Sequence, residues 1–190
     1  METLEEQVKA GRLIAEKEFY SNVRLRGAKK ARELLEKGVQ YAEFRLFDLN
    51  PFEPYGISLS DAKFIHSFLL GMLWIDETGG QKEVELGKQR LYQVALEDPR
   101  EPTVFQAEGE AVLHQIIEML KTINADESVV KVAEEKLAQF ADPSQTVNGK
   151  LLKAIEQAGS YKALGAKLAQ QYKAQAFERF YALSAFDNME

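Results

Sequence analysis

Hydrophobic and polar residues alternate along Arg12–Arg26. Leu13, Ala15, Lys17, Phe19, Ser21, Val23 and Leu25 share one parity, and Glu16, Glu18, Tyr20, Asn22, Arg24 and Arg26 the other. A period of two predicts a strand with one polar face, ended by Gly27. Good helix formers over Ala28–Glu36 predict a short connecting helix with Gly38 as its C-cap. A second alternation starts at Val39 and sets Tyr41, Glu43, Arg45 and Phe47 against Ala42, Phe44 and Leu46. Asn50-Pro51 and Pro54-Tyr55-Gly56 break it near residue 50, because proline donates nothing to a ladder and glycine suits a turn.

Beyond residue 57 the period changes to that of helices. The first helix starts at Ser58 or Ser60, runs to about Asp76 and is closed by Thr78-Gly79-Gly80. Others are predicted over 82–97, 104–123, 126–140, 147–158 and 160–183, parted by Asp98-Pro99, Asn124-Ala125, Asp142-Pro143 and Gly159-Ser160. The fold class is therefore α+β and predominantly helical, with short strands in the first fifty or so residues and about six helices after them. Two strands rarely form a stable sheet alone, so either helices cover them or further strands belong with them.

With 190 residues, 45% hydrophobic and 28% charged, the chain suits one domain or a large piece of one. A net charge of −6 argues against a nonspecific nucleic-acid binder, which needs clustered cations. Cysteine is absent, so no disulfide, thiolate nucleophile or thiolate metal site forms, and a cytoplasmic location is expected. The polar start METLEEQVKAGRL is unlike a secretory signal. The apolar run FIHSFLLGMLWI at 64–75 is shorter than the roughly 20 residues of a bilayer span, and it predicts a buried helix rather than a membrane partner.

Glu43 and Arg45, two apart on one strand, leave the same face of the sheet. A carboxylate beside a guanidinium is one way to present a metal ligand next to an anion-binding group. It is equally the pattern of a solvated strand face with an intrastrand ion pair. The same alternatives hold for Tyr20, Arg24 and Arg26, since arginine forks suit phosphate and carboxylate recognition. Glu110, His114 and Glu118 share a helix face at a spacing that could hold a metal, and read rather as a solvated or partly buried face; His66 and Trp74 read as core, Lys131–Lys136 as a solvated face, and Gly165 with its neighbouring alanines as a close-packing stripe.

The string YAEFRLFDLNPFEPYGISLSDAKFIHSFLLGMLWID, residues 41–76, resembles the glutamate-cysteine ligase family, in which a strand Y-x-E-x-R-x-x-D-x-N-P-F runs through a Pro-Gly turn into an apolar helix. EKEFYSNVRLRG at 16–27 is similar to the family's E-x-Y-x-x-x-R segment, and FADPSQTVNGKLLKAI at 140–155 to its aspartate-proline turn before a late helix. The likeness is greatest to the ligase portion of bacterial bifunctional enzymes that also carry a glutathione synthetase module.

This resemblance implies an ATP-dependent joining of the L-glutamate side-chain carboxylate to the amine of L-cysteine through a glutamyl phosphate, with Mg2+. It assigns Glu43 as a metal ligand, Arg45 as the catalytic clamp on the moving phosphoryl group, and Tyr20 and Arg24 as substrate-binding residues at the cysteine site. It further implies that the strands belong to a glutamine-synthetase-like sheet. Residues 1–190 would be the C-terminal part of a ligase domain, with 1–56 carrying the active-site strands and turn and 57–190 the helical part. A larger N-terminal ligase portion is then a required partner, and little or no activity is expected without it. Two alternatives stay open: a non-catalytic helical interaction module derived from the enzyme, and a carboxylate-amine ligase using another amine.

Overall fold

Antiparallel pairing of β1 (Val23–Arg26) with β2 (Tyr41–Phe44) forms the one sheet among the described residues, and helices make up most of the rest. These features come from a computed structural model, which describes residues 2–76 and 79–183. The chain divides into two units, Met1–Leu49 and Asn50–Glu190.

In the first unit, α1 (Glu2–Lys9) leads through a 3-10 turn at Glu16–Glu18 to β1, and α2 (Glu33–Lys37) joins β1 to β2. None of the described side chains in this unit is buried. The strand expected over Arg12–Arg26 is confined to its last four residues. Side chains compete for the backbone before it. The Glu18 carboxylate accepts from Ile14 N–H at 2.7 Å, and the Arg24 guanidinium donates to the carbonyl of Phe19 at 2.8 Å. Local bonds of this kind offer an alternative to a sheet ladder. The connecting helix is likewise shorter than Ala28–Glu36, with Gly38 as its C-cap, and α1 carries no counterpart in the alternation pattern.

In the second unit all six expected helices form: α3 (Leu59–Trp74), α4 (Gln81–Val94), α5 (Gln106–Thr122), α6 (Glu127–Ala141), α7 (Val147–Ala158) and α8 (Tyr161–Leu183). Thr78, read as part of the stop after the first of them, lies outside the described residues. Small polar side chains start α3, α6 and α7. Ser58 Oγ accepts from Asp61 N–H at 2.9 Å, Asp126 from Ser128 N–H at 2.8 Å, and Thr146 Oγ1 from Gly149 N–H at 3.0 Å. Each satisfies a donor that the first helical turn leaves open.

α3, α5 and α6 pack on one another around Leu113, Ile116, Ile117, Met119, Leu120 and Ala133. Ile116 is 0% exposed and Leu120 1%, so each contributes about 1.5–3 kcal/mol of apolar burial. Gly71 makes the close approach of α3 possible, because a Cβ there would overlap the Ile116 side chain. α7 packs with α8, while Arg90 ties α4 to α5 by pairing with Glu108 and lying over the Phe105 ring.

Several side chains differ from the sequence reading. Only the inner face of α3 is covered: Phe64, Phe68 and Leu70 pack on the core and Ser67 and Gly71 are buried, whereas His66 is exposed and Trp74 half exposed. A run that is apolar all round still has one face in a three-helix packing, and His66 falls opposite it. Lys136 leaves the solvated face to bond Asp61, with both side chains about three-quarters covered, and Gly165 faces open space. His114 and Glu118 are exposed, in keeping with a solvated helix face. Among the described residues no helix is long and apolar enough to cross a membrane.

Candidate active site

The strand register decides which side chains meet. Arg24 stands opposite Glu43 and Arg26 opposite Tyr41, while Val23 pairs with Phe44 and Leu25 with Ala42. Because side chains alternate across a strand, Arg24, Arg26, Tyr41 and Glu43 share one face and the apolar residues take the other. Arg45 N–H donates to Asn22 C=O at 2.8 Å and carries the pairing one step beyond β2, so Arg45 joins the polar face.

Glu43 lies at the centre of this face. Arg26 Nε and Nη2 both approach its Oε2, at 2.8 and 2.7 Å, and Arg45 Nε lies 3.7 Å from its Oε1. Tyr20 stands just before β1 rather than on it, yet its ring reaches the cluster, 5.0 Å from the Arg45 guanidinium and 5.7 Å from that of Arg24. Guanidinium groups over an aromatic face gain a cation–π attraction that fixes their plane. The structure thus brings together all four residues singled out by the sequence: Tyr20, Arg24, Glu43 and Arg45.

Arg26, read from the sequence as an arginine suited to anions, is a member of the site to which the family resemblance assigned no role. It belongs to the polar parity of the first alternation, so its face was legible, but its partnership with Glu43 depends on a register between two segments separated by α2.

Electrostatics follow from this geometry. The hydrogen bond from Arg26, aided by the charges of Arg26, Arg45 and Arg24, holds the Glu43 carboxyl below the ordinary glutamate range. Glu43 is therefore ionised at neutral pH. Three guanidiniums against one carboxylate leave the face with a positive surplus. The Arg45 side chain makes no hydrogen bond among the described residues, its approach to Glu43 being longer than one, so its donors remain for an anion.

A hard divalent cation takes about six oxygen ligands, of which Glu43 supplies one carboxylate. Among the described residues no group of three or more His, Cys, Asp and Glu side chains is placed to hold a metal ion. Glu43 fits as one member of a ligand set, not as a metal centre alone.

The site thus defines a class: an arginine-rich strand face with one ionised carboxylate, suited to phosphate and carboxylate groups, on a mostly helical chain. Residues 2–93 match the family described as glutamate-cysteine ligase. Over its full length the chain is 67% identical to the glutathione biosynthesis bifunctional protein of Pasteurella multocida and 65% identical to that of Mannheimia succiniciproducens, covering 25% of each. The crystal structure of a bifunctional glutathione synthetase from Pasteurella multocida aligns with all of this chain and 25% of its own, with a TM-score of 0.91 and 67% identity. A glutamate-cysteine ligase from Francisella tularensis, solved in complex with AMP, aligns over 84% of this chain and 36% of its own, with a TM-score of 0.72 and 25% identity. This chain belongs to the glutamate-cysteine ligase family. It spans about a quarter of the length of the curated bifunctional relatives it matches.

Proposed function

We propose that this chain is the C-terminal part of an ATP-dependent ligase domain that joins the side-chain carboxylate of L-glutamate to the amine of L-cysteine, the first step of glutathione biosynthesis. The observation that carries this reading is the gathering of Arg24, Arg26, Arg45 and Tyr20 around ionised Glu43 on one strand face.

The chemistry asks for such a face. A carboxylate resists attack by an amine because of its charge and poor leaving group. In this reading a glutamate carboxylate oxygen attacks the γ-phosphorus of ATP and ADP departs, giving an acyl phosphate. The cysteine nitrogen then bonds to the carbonyl carbon, phosphate leaves, and the nitrogen loses a proton. Charge builds on the transferring phosphoryl oxygens, and fixed cations aimed at them stabilise that state more than the substrates. Arg45 is the catalytic clamp in this role, held in plane by Tyr20. Tyr20 and Arg24 bind cysteine, with the phenol and the guanidinium as polar handles.

Bound Mg2+ would neutralise phosphate charge, with Glu43 as one of its ligands and others supplied by the larger N-terminal ligase portion. The larger N-terminal ligase portion, the glutathione synthetase module and a cytoplasmic setting belong to the same proposal.

The test uses the complete enzyme that contains this segment. Wild type releases ADP only with glutamate and cysteine both present, and Arg45→Lys lowers kcat by about tenfold or more, since a lysine cannot reproduce the planar fork. Unchanged kinetics in Arg45→Lys would remove Arg45 from the mechanism. Equal turnover with other amines would replace cysteine as the acceptor. This chain by itself is expected to release little or no ADP.

A further inference from the structure

We infer that Tyr172 and Arg179 of α8 are positioning residues that clamp the Asn50–Gly56 turn, the next structured feature after β2 along the chain. The turn is closed by its own bonds: Asn50 N–H donates to Gly56 C=O at 2.8 Å, Gly56 N–H to Glu53 C=O at 3.0 Å, and Phe52 N–H to Asn50 Oδ1 at 3.1 Å. Gly56 adopts φ +74°, a conformation that side chains resist. Pro51 and Pro54 donate nothing to hold it, and none of its residues is buried. A segment with few buried contacts opens locally at little cost unless something outside restrains it.

α8 supplies that restraint from more than a hundred residues away. The Tyr172 hydroxyl donates to the Pro51 carbonyl at 2.8 Å. Arg179 Nη1 donates to the Tyr55 hydroxyl, and its guanidinium lies 5.7 Å from the Tyr55 ring centroid. Tyr172 and Arg179 are two helical turns apart on one face of α8, so both ends of the turn are held from a single rigid element. The two anchors use different chemistry, one on the backbone and one on a side chain, and they converge on the same seven residues.

The bearing of the clamp on catalysis rests on the ligase reading, so its test has two independent parts. In this chain, Tyr172→Phe speeds hydrogen exchange of the Asn50, Glu53 and Gly56 amides by about three- to tenfold, the cost of one hydrogen bond, and leaves Ile116 and Leu120 of α5 unchanged. Arg179→Gln, at an exposed side chain, gives the same result if Tyr172→Phe disturbs folding. Unchanged exchange in the turn overturns the clamp.

In the complete ligase, Tyr172→Phe raises KM for one of the three substrates by about three- to tenfold, whereas a lower folded fraction reduces kcat and leaves every KM in place. Raised exchange with all three KM values unchanged overturns the positioning role. Unchanged kinetics in Arg45→Lys instead overturn the ligase reading, which the exchange measurement does not touch.

Discussion

Arg26 closes on Glu43 across the two strands, with Nε and Nη2 both within 2.8 Å of one carboxylate oxygen. A charge-assisted pair of this shape orients the acid as well as ionising it. The remaining oxygen faces Arg45, 3.7 Å from its Nε.

Removal of Arg26 should therefore be visible in the titration of its partner. In wild type the Glu43 carboxyl titrates below the ordinary glutamate value, and in Arg26→Gln it moves back up, as read by carboxyl-detected NMR. A depressed folded-state value gives stability that is present above the unfolded value and is lost as pH falls through the folded one. The loss in this case begins below about pH 4.3. An unshifted Glu43 in the variant would show that Arg45 and Arg24 suffice.

Asp98 offers a second titration, at a surface turn. Arg100 donates to both of its oxygens, Nε at 2.9 and Nη2 at 2.6 Å, and its backbone N–H adds a third bond at 3.0 Å. These bonds lower the Asp98 carboxyl from 3.8 to about 2. Its contribution is full above 3.8 and fades as pH falls toward about 2. Arg100→Gln should bring the Asp98 titration closer to 3.8, measured by the same NMR experiment.

The packing of α3 on α5 makes a mechanical prediction. Gly71→Ala drives a methyl into Ile116 and should cost about 1–3 kcal/mol in urea denaturation. Ile116→Ala empties the centre of the core and should cost about 2–5 kcal/mol. The double variant should lose less than the two costs added, because each change relieves the other.

Ser58 starts α3 by accepting from Asp61 N–H, and its hydroxyl also donates to Asp61 Oδ2 at 2.7 Å. Ser58→Ala should cost about 0.5–2 kcal/mol, and Ser58→Asn less. Equal stability of the three proteins by thermal denaturation would remove the cap from the account.

The helical half was legible where a cap, a 3.6-residue pattern and a Gly or Pro stop agree. Thr146 with Gly159 around Val147–Ala158 is one case, and Asp126 before Glu127–Ala141 another. The first fifty residues were less so. Alternation cannot tell a strand from an irregular segment whose carboxylates and guanidiniums cap its own backbone, as Glu18 and Arg24 do. Exposure was misread in α3, where His66 and Trp74 sit among apolar neighbours in sequence but not in space.

For the site, residue type and spacing were enough to mark Glu43 and Arg45 as one strand face, and the ordered motifs around them to mark Tyr20 and Arg24. The first is a local property of a period-two chain, and the second came from the family resemblance. Tertiary structure alone decided that Arg26 is Glu43's partner, that Tyr20 turns its ring under two guanidiniums although it lies outside the strand, and that α8 reaches back to Pro51 and Tyr55. The physical reason is common to all three: a register, a ring approach and a long-range hydrogen bond depend on where separate segments meet, which no local period records.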